Sequence, residues 1–242
     1  MYRQLVLIAF FACPALGATA QNTAGNQYNE LTVRALAEAG LAPVATAFDT
    51  RYEGVRGTPL LFETWKEGML KIKGTDKAIG PIQLNIDLEK QIAAVSYQNG
   101  SIGVLPGDKL DYLGFESAQG AQRFLALPEN LVDAASRGTQ TRFYEALHEG
   151  RRFMFLKYRS REFKKADFKG AYSSQVTYDE YVEGIHYFLR QGDEPFVKIK
   201  LRASAIEKQL STWGATLPKG LSGADLNTEA GIVKALKALE QE

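Results

Sequence analysis

Two rows of basic side chains have the spacing that a binding surface needs. Lys157, Arg159 and Arg161 fall at alternate positions, as do Lys198, Lys200 and Arg202. Alternate residues of an extended strand share one face, so each row projects three cations to one side. If the two strands are neighbours and their faces agree, the rows merge into a cationic ridge. Such a ridge suits the phosphate or carboxylate groups of an anionic envelope polymer, glycan or lipid. The competing reading is plainer: long basic side chains solvate the outer face of a sheet and guard edge strands against aggregation. Acidic neighbours in sequence, Asp179, Glu180, Glu183, Asp193 and Glu194, favour the plainer reading. The ridge therefore requires Lys157, Arg159, Lys198 and Lys200 on one concave face.

Other chemistries have weaker footing. His148 and His186, the two histidines, both lie in predicted strands. With Glu145, Glu149 and Glu183 they would form a metal site only where their hairpins lie side by side, so the expectation is ordinary hydrogen-bonded histidines and no metal or cofactor. Gly220-Leu221-Ser222-Gly223-Ala224 has the outline of a nucleophile elbow. No strand leads into it, however, Ala224 replaces the last glycine, and no histidine follows. Asp225, Asn227 and Glu229 alternate like the first ligands of a calcium loop, but Ala230 stands where glycine is required and Leu236 where the bidentate carboxylate belongs. A turn before a helix accounts for both segments.

Carboxylate pairs for glycoside cleavage are defined by separation in space, so Glu63, Glu67 and Asp87 are candidates without rank. There is no glycine-rich phosphate loop or dinucleotide fingerprint. Aromatic residues are frequent from Tyr172 to Phe196, including Tyr178, Tyr181, Tyr187 and Phe188. Core and cross-strand pairs are the first reading of these rings, and a sugar-stacking platform the second.

The N-terminus sets the compartment in which any such chemistry would operate. Arg3, the apolar stretch Leu5 to Ala12 and the small residues of Ala18-Thr19-Ala20 read as a secretory signal peptide, residues 1–20, cleaved after Ala20. The apolar stretch is shorter than the roughly 20 residues that span a bilayer, and no later segment supplies a transmembrane helix. A lipid anchor on Cys13 is the alternative, although Phe10 and Phe11 occupy places where a lipoprotein signal carries an aliphatic and a small residue. The protein is thus expected to be exported, periplasmic or secreted. Cleavage after Ala20 removes the single cysteine, and with it thiol catalysis, disulfides and cysteine-ligated zinc. Loss of Arg3 leaves 28 basic against 28 acidic side chains, a balance that argues against nucleic acid as a partner.

The elements that must position these residues are mostly strands. Residues 21–47 read as a flexible or weakly helical lead-in, with Leu31, Ala35 and Leu36 on one helical face before Gly40 and Pro43. Residues 48–202 read as an antiparallel β domain. Ile82, Leu84, Ile86 and Leu88 alternate with Gln83, Asn85 and Asp87, which predicts one buried and one wet face. Asn99-Gly100 suits a hairpin turn between Ile92 to Tyr97 and Ser101 to Leu105. A second hairpin joins Thr141 to His148 with Phe153 to Phe163 through Glu149-Gly150. A third joins Tyr181 to Leu189 with Phe196 to Leu201 across Gly192-Asp193-Glu194-Pro195. Residues 203–242 read as C-terminal helices packed on the sheet. Ser204 and Glu207 are spaced as a capping box for a helix to about Leu210, and Thr228 as the cap of a last helix with Ile232, Val233, Leu236 and Leu239 on one face. The fold class is mainly β, an open sheet or partial barrel of antiparallel hairpins with a small α-helical tail, α+β overall.

Gly57-Thr58-Pro59-Leu60-Leu61-Phe62, followed by Trp65 and Gly68, resembles the opening of a group of uncharacterised secreted bacterial proteins. There a Gly-x-Pro segment and a Trp-x-x-Gly step precede several antiparallel strands. The resemblance implies export and a β-rich body, from about Phe48 to the final helix, and carries no catalytic residue. The function expected is a non-enzymatic binding or structural accessory of the cell envelope. The alternatives are a hydrolase whose carboxylates converge only in the fold, and a binder of anionic glycans or lipids through the basic strands.

Overall fold

The computed structural model describes residues 34, 36, 44–45, 55–97, 100–117, 120–166, 178–217 and 223–241. The leader read at residues 1–20, Asn99 of the first hairpin turn, Tyr172 and residues 220–222 of the glycine-serine turn lie outside the described residues.

Among the described residues the body is a mainly β sheet of twelve strands, with helices at its C-terminal end. In chain order the strands are β1 (Val44–Ala45), β2 (Val55–Arg56), β3 (Lys66–Ile72), β4 (Ile79–Asp87), β5 (Ile92–Ser96), β6 (Ile102–Pro106), β7 (Leu110–Ser117), β8 (Gly120–Pro128), β9 (Thr141–Glu149), β10 (Phe153–Lys164), β11 (Asp179–Gln191) and β12 (Val197–Ile199). Across the sheet they run β1-β6-β5-β4-β3-β7-β8-β9-β10-β11-β12, while β2 joins the far edge of β11 in parallel. Every other pairing is antiparallel, and the three expected hairpins are β5–β6, β9–β10 and β11–β12. Alternation alone does not delineate β3 and β7, where Gly68 and Gly114 interrupt the side-chain pattern. The strands approach so closely there that a Cβ on Gly68 would stand 2.4 Å from the Gly114 carbonyl oxygen.

Register defines two faces. Phe124, Glu145, Lys157, Tyr187 and Ile199 stand opposite one another across β8 to β12 on the inner face. Leu125, Tyr144, Tyr158 and His186 do the same on the outer face. The inner face carries two cores. Strands β3 to β9 enclose the first, with Leu70, Leu84, Ile86, Leu113, Phe115, Phe124 and Phe143. The second lies where α2 (Ala203–Thr212) and α3 (Glu229–Leu239) cover Phe153, Phe155, Leu189 and Ile199. A short helix, α1 (Glu129–Val132), brings Val132 onto the outer-face cluster of Tyr144, Leu156 and Phe188. From the lead-in, Leu36 is buried in the first core and β1 pairs with β6.

The sheet stays open but rolls until its β4–β5 turn reaches β9 and β10. Gln91 makes that closure. Its buried amide donates to the Leu88 and Arg159 carbonyls and accepts from the Phe143 N–H, while its backbone takes a left-handed φ of 54°. One side chain thus satisfies three backbone groups that would otherwise be orphaned inside the protein.

Two local expectations need correction. Asn85 and Asp87 are buried rather than wet, because the Pro59-to-Phe62 segment lies along β4: Asn85 exchanges hydrogen bonds with the Phe62 backbone, and Asp87 accepts from the N–H groups of Glu89 and Lys90. The Ser204–Glu207 capping box does not form. Arg202 is the N-cap of α2, and the Asn227 side chain accepts from the Ala203 N–H in its place. Thr228 does cap α3, accepting from the Gly231 N–H at 3.1 Å, and Ile232, Leu236 and Leu239 are buried.

Candidate functional site

The two basic rows are separated by the sheet. Lys157, Arg159 and Arg161 share the inner face with Phe155, whereas Lys198 stands opposite Phe188 on the outer face. The single ridge is therefore not formed, for a reason of register: Lys157 faces Tyr187, and Tyr187 faces Ile199, the residue after Lys198.

On the inner face the β10 row is consumed by partners from three elements. Lys157 Nζ lies 2.7 Å from Glu229 Oε1 at the start of α3 and 4.0 Å from Glu145 Oε2 on β9. Arg159 pairs with Glu145 at 3.2 Å, Gln122 donates to the same carboxylate at 3.4 Å, and the Tyr187 hydroxyl donates to Glu229 at 2.6 Å. Lys157 and Glu145 are each only 7% exposed, so the cluster is a neutral polar bridge between the two cores. Burial alone would raise the Glu229 carboxyl, but hydrogen bonds from Lys157 and Tyr187 outweigh it and hold the carboxyl below its usual range. Burial, and then the bond to Glu229, pushes the Tyr187 phenol far up. Arg161 pairs with Glu183 at 3.5 Å. Two carboxylates do converge here, but Lys157, Arg159 and Gln122 take up both oxygens of Glu145, and Lys157 and Tyr187 take up Oε1 of Glu229. Of the carboxylates considered from sequence, Asp87 is held by its own turn.

The histidines also part company. His148 lies on the inner face with its Nε2 3.6 Å from Glu240, while His186 stacks on Tyr158 outside, ring centroids 6.4 Å apart. Burial and the charge of Lys198 push the His186 imidazole below its usual range, with Asp133 pulling the other way. Asn227 and Glu229 of the calcium-like run serve as helix cap and ion-pair partner. Among the described residues there is no group of three or more His, Cys, Asp or Glu side chains placed to hold a metal. The aromatic rings form cross-strand pairs, among them Phe155–Tyr187, Phe163–Tyr181 and Tyr144–Phe188.

The open ground is at the sheet edge. β2 covers Asp179 and Glu180 of β11, and β12 covers residues 187–189. Along residues 182–186 β11 bonds to β10 on one side, and among the described residues no strand pairs with the other. A notch of about 610 Å³ adjoins this stretch, lined by Ile185, His186 and Tyr187 on β11 and by residues 198–201 where the chain leaves β12. Ile185 is 41% exposed, Lys198 pairs loosely with Asp133 at 3.3 Å, and Lys200 is exposed with no partner among the described residues. Arg202 caps α2 through its backbone and stands outside the lining. A second, smaller depression of about 250 Å³ at Met69, Tyr112 and Gly114 is lined also by Arg123, which lies on the Tyr112 ring and pairs with Glu149.

Sequence reasoning found Lys198 and Lys200 but missed Gly184 and Ile185. A glycine inside a long strand beside an exposed β-branched residue is the signal that marks them.

Comparison with protein-family models, with curated proteins and with solved structures finds no match for this chain. Among the described residues no helix is long and apolar enough to cross a membrane.

Proposed function

We propose that the chain is an exported, non-enzymatic binding protein of the cell envelope, and that it holds a partner bearing acidic and apolar groups in the β11–β12 notch. The observation that carries this reading is the contrast in occupancy. Lys157 is buried and bound to Glu229 and Glu145, and the half-buried Arg159 pairs with Glu145, whereas Lys200 and the exposed Ile185 adjoin a stretch of strand edge with no partner strand among the described residues. An exposed apolar side chain beside an open main-chain edge offers a partner both side-chain and backbone contacts. The leader residues support export, and the likeness of the Gly57-to-Gly68 run to secreted β-rich proteins supports the same compartment. An anionic polymer spread over a six-residue cationic ridge is set aside, because the rows lie on opposite faces. The carboxylates Glu145 and Glu229 are neutralised by their neighbours, which argues against acid–base catalysis at their meeting point.

The test is capture from envelope extract by the mature chain, compared with Lys200→Glu at low and high salt. Binding is expected to fall about tenfold with the variant and again in high salt. Capture that survives both changes would overturn the assignment of the notch. Mass spectrometry of the mature protein checks the compartment: a start at Gln21 is expected, and an acylated Cys13 would place the protein on a membrane instead.

A further inference from the structure

We infer that the notch takes its partner by strand addition: an extended peptide segment alternating apolar and acidic residues pairs with the edge of β11 that has no partner strand among the described residues, between β2 and β12. The inference rests on the notch being the binding site.

The backbone makes the first argument. Residues 182–186 span about 17 Å at the usual rise of an antiparallel strand, room for about five residues of a partner. Both ends of the gap are already defined by strands on the same edge, β2 at Asp179 and Glu180 and β12 at Tyr187. An incoming strand would complete the row between them. Its main-chain groups would satisfy those of β11, the usual source of affinity in such additions.

Few of the usual defences of an edge strand are present among the described residues. Long edges are normally protected by proline, bulges, charged side chains or a covering segment. Here the middle of the gap is Gly184, the neighbouring Ile185 is exposed, and the nearest charge, Glu183, is drawn across the inner face to Arg161. Register with β10 runs unbroken from Lys164 to Phe153, so no bulge turns this edge away.

The third argument selects the peptide. The notch has different chemistry on its two faces. Ile185, Tyr187 and Ile199 line the inner side, and His186 with Lys198 the outer, with Lys200 two residues on. A strand with period two meets both when its apolar residues face inward and its acidic residues outward. An anionic lipid would match the lysines but leave the backbone edge unused.

The test is fluorescence anisotropy with the mature chain and an eight-residue peptide of alternating valine and glutamate. In an extended peptide the valine amides all point to one edge and the glutamate amides to the other. Two further peptides are therefore N-methylated, one on the valines and one on the glutamates. One of them is expected to lose about tenfold or more in affinity while the other keeps it, because only one edge pairs with β11. Lys200→Glu weakens the parent peptide about tenfold. Equal affinities for the two methylated peptides overturn strand addition; if both still respond to Lys200→Glu, the notch stands as a binding site without it. Absence of binding by all three peptides also overturns strand addition. So does uptake of the chain on equimolar phosphatidylglycerol–phosphatidylcholine vesicles that the parent peptide does not compete away, which assigns the lysines to a lipid surface.

Discussion

The β10 row Lys157, Arg159, Arg161 and the β12 row Lys198, Lys200, Arg202 read alike in sequence and have opposite fates. β10 is an interior strand, flanked by β9 and β11 and roofed by α3, so Lys157 is buried, Arg159 and Arg161 are half-buried, and the three are bound to Glu229, Glu145 and Glu183. β12 is three residues long at the end of the sheet and carries only Lys198 of the other row, and both Lys198 and Lys200, just past its end, remain at the surface. Position in the sheet, and not the spacing of charges, decides whether a basic strand stabilises the fold or is left for a partner. A charge removed from water must be neutralised by the protein itself, whereas an edge charge is solvated at little cost.

The largest effect that separates the rows is expected at Lys157. Replacement by methionine keeps the volume and removes the charge, leaving Glu229 with the Tyr187 hydroxyl but no cation, and Glu145 with Arg159 and Gln122. The expected loss is about 3 kcal/mol in denaturant unfolding, at the low end for breaking a buried pair because Arg159 still neutralises Glu145. A loss below about 0.5 kcal/mol would mean the cluster is no more structural than a surface pair.

Glu240 tests the roof over β10. This residue ends α3, and its carboxylate accepts from the N–H groups of Arg151, Arg152 and Phe153 at 2.9 Å each, pinning the β9–β10 turn to the helix. Gly150 leaves the space, since a Cβ there would lie 2.1 Å from Glu240 Oε1. Burial opposes ionisation of Glu240, but the three N–H groups and His148 prevail and hold the carboxyl below its usual range. A lowered folded-state pKa contributes stability that is complete above the ordinary glutamate value, about 4.3, and drains away as pH falls through the folded value. Glu240→Gln should therefore cost about 1–2 kcal/mol at neutral pH, and the difference from wild type should close in acid. A pH-independent difference in thermal unfolding would contradict this account.

The smallest effect on stability belongs to Lys200. Lys200→Ala should leave unfolding within about 0.5 kcal/mol of wild type, as expected of an exposed side chain without partners among the described residues. A larger loss would show that the β12 row too is structural.

Much of this contrast was legible beforehand, and the part that was not has physical causes. Alternation and turn residues gave the hairpins β5–β6, β9–β10 and β11–β12, and Thr228 marked the start of α3. The faces of the two rows were not legible, because they depend on the register across β11, which no local pattern encodes. Asn85 and Asp87 look solvent-facing in sequence; only the packing of residues 59–62 along β4 buries them. Glu229 resembled a stray calcium ligand, since its partner Lys157 lies 72 positions earlier in the chain. The notch is a missing strand, and a gap in pairing has no residue of its own to announce it.

Amide hydrogen exchange along β11 in the free chain tests the central claim most directly. With the edge open, alternate amides within residues 182–186 lack a partner strand, while those of residues 187–189 bond on both sides. The account predicts that these alternate edge amides exchange orders of magnitude faster than the amides of Phe188 and Leu189. Uniformly slow exchange from Val182 to Leu189 would mean that the edge is already covered, and would contradict a binding notch there.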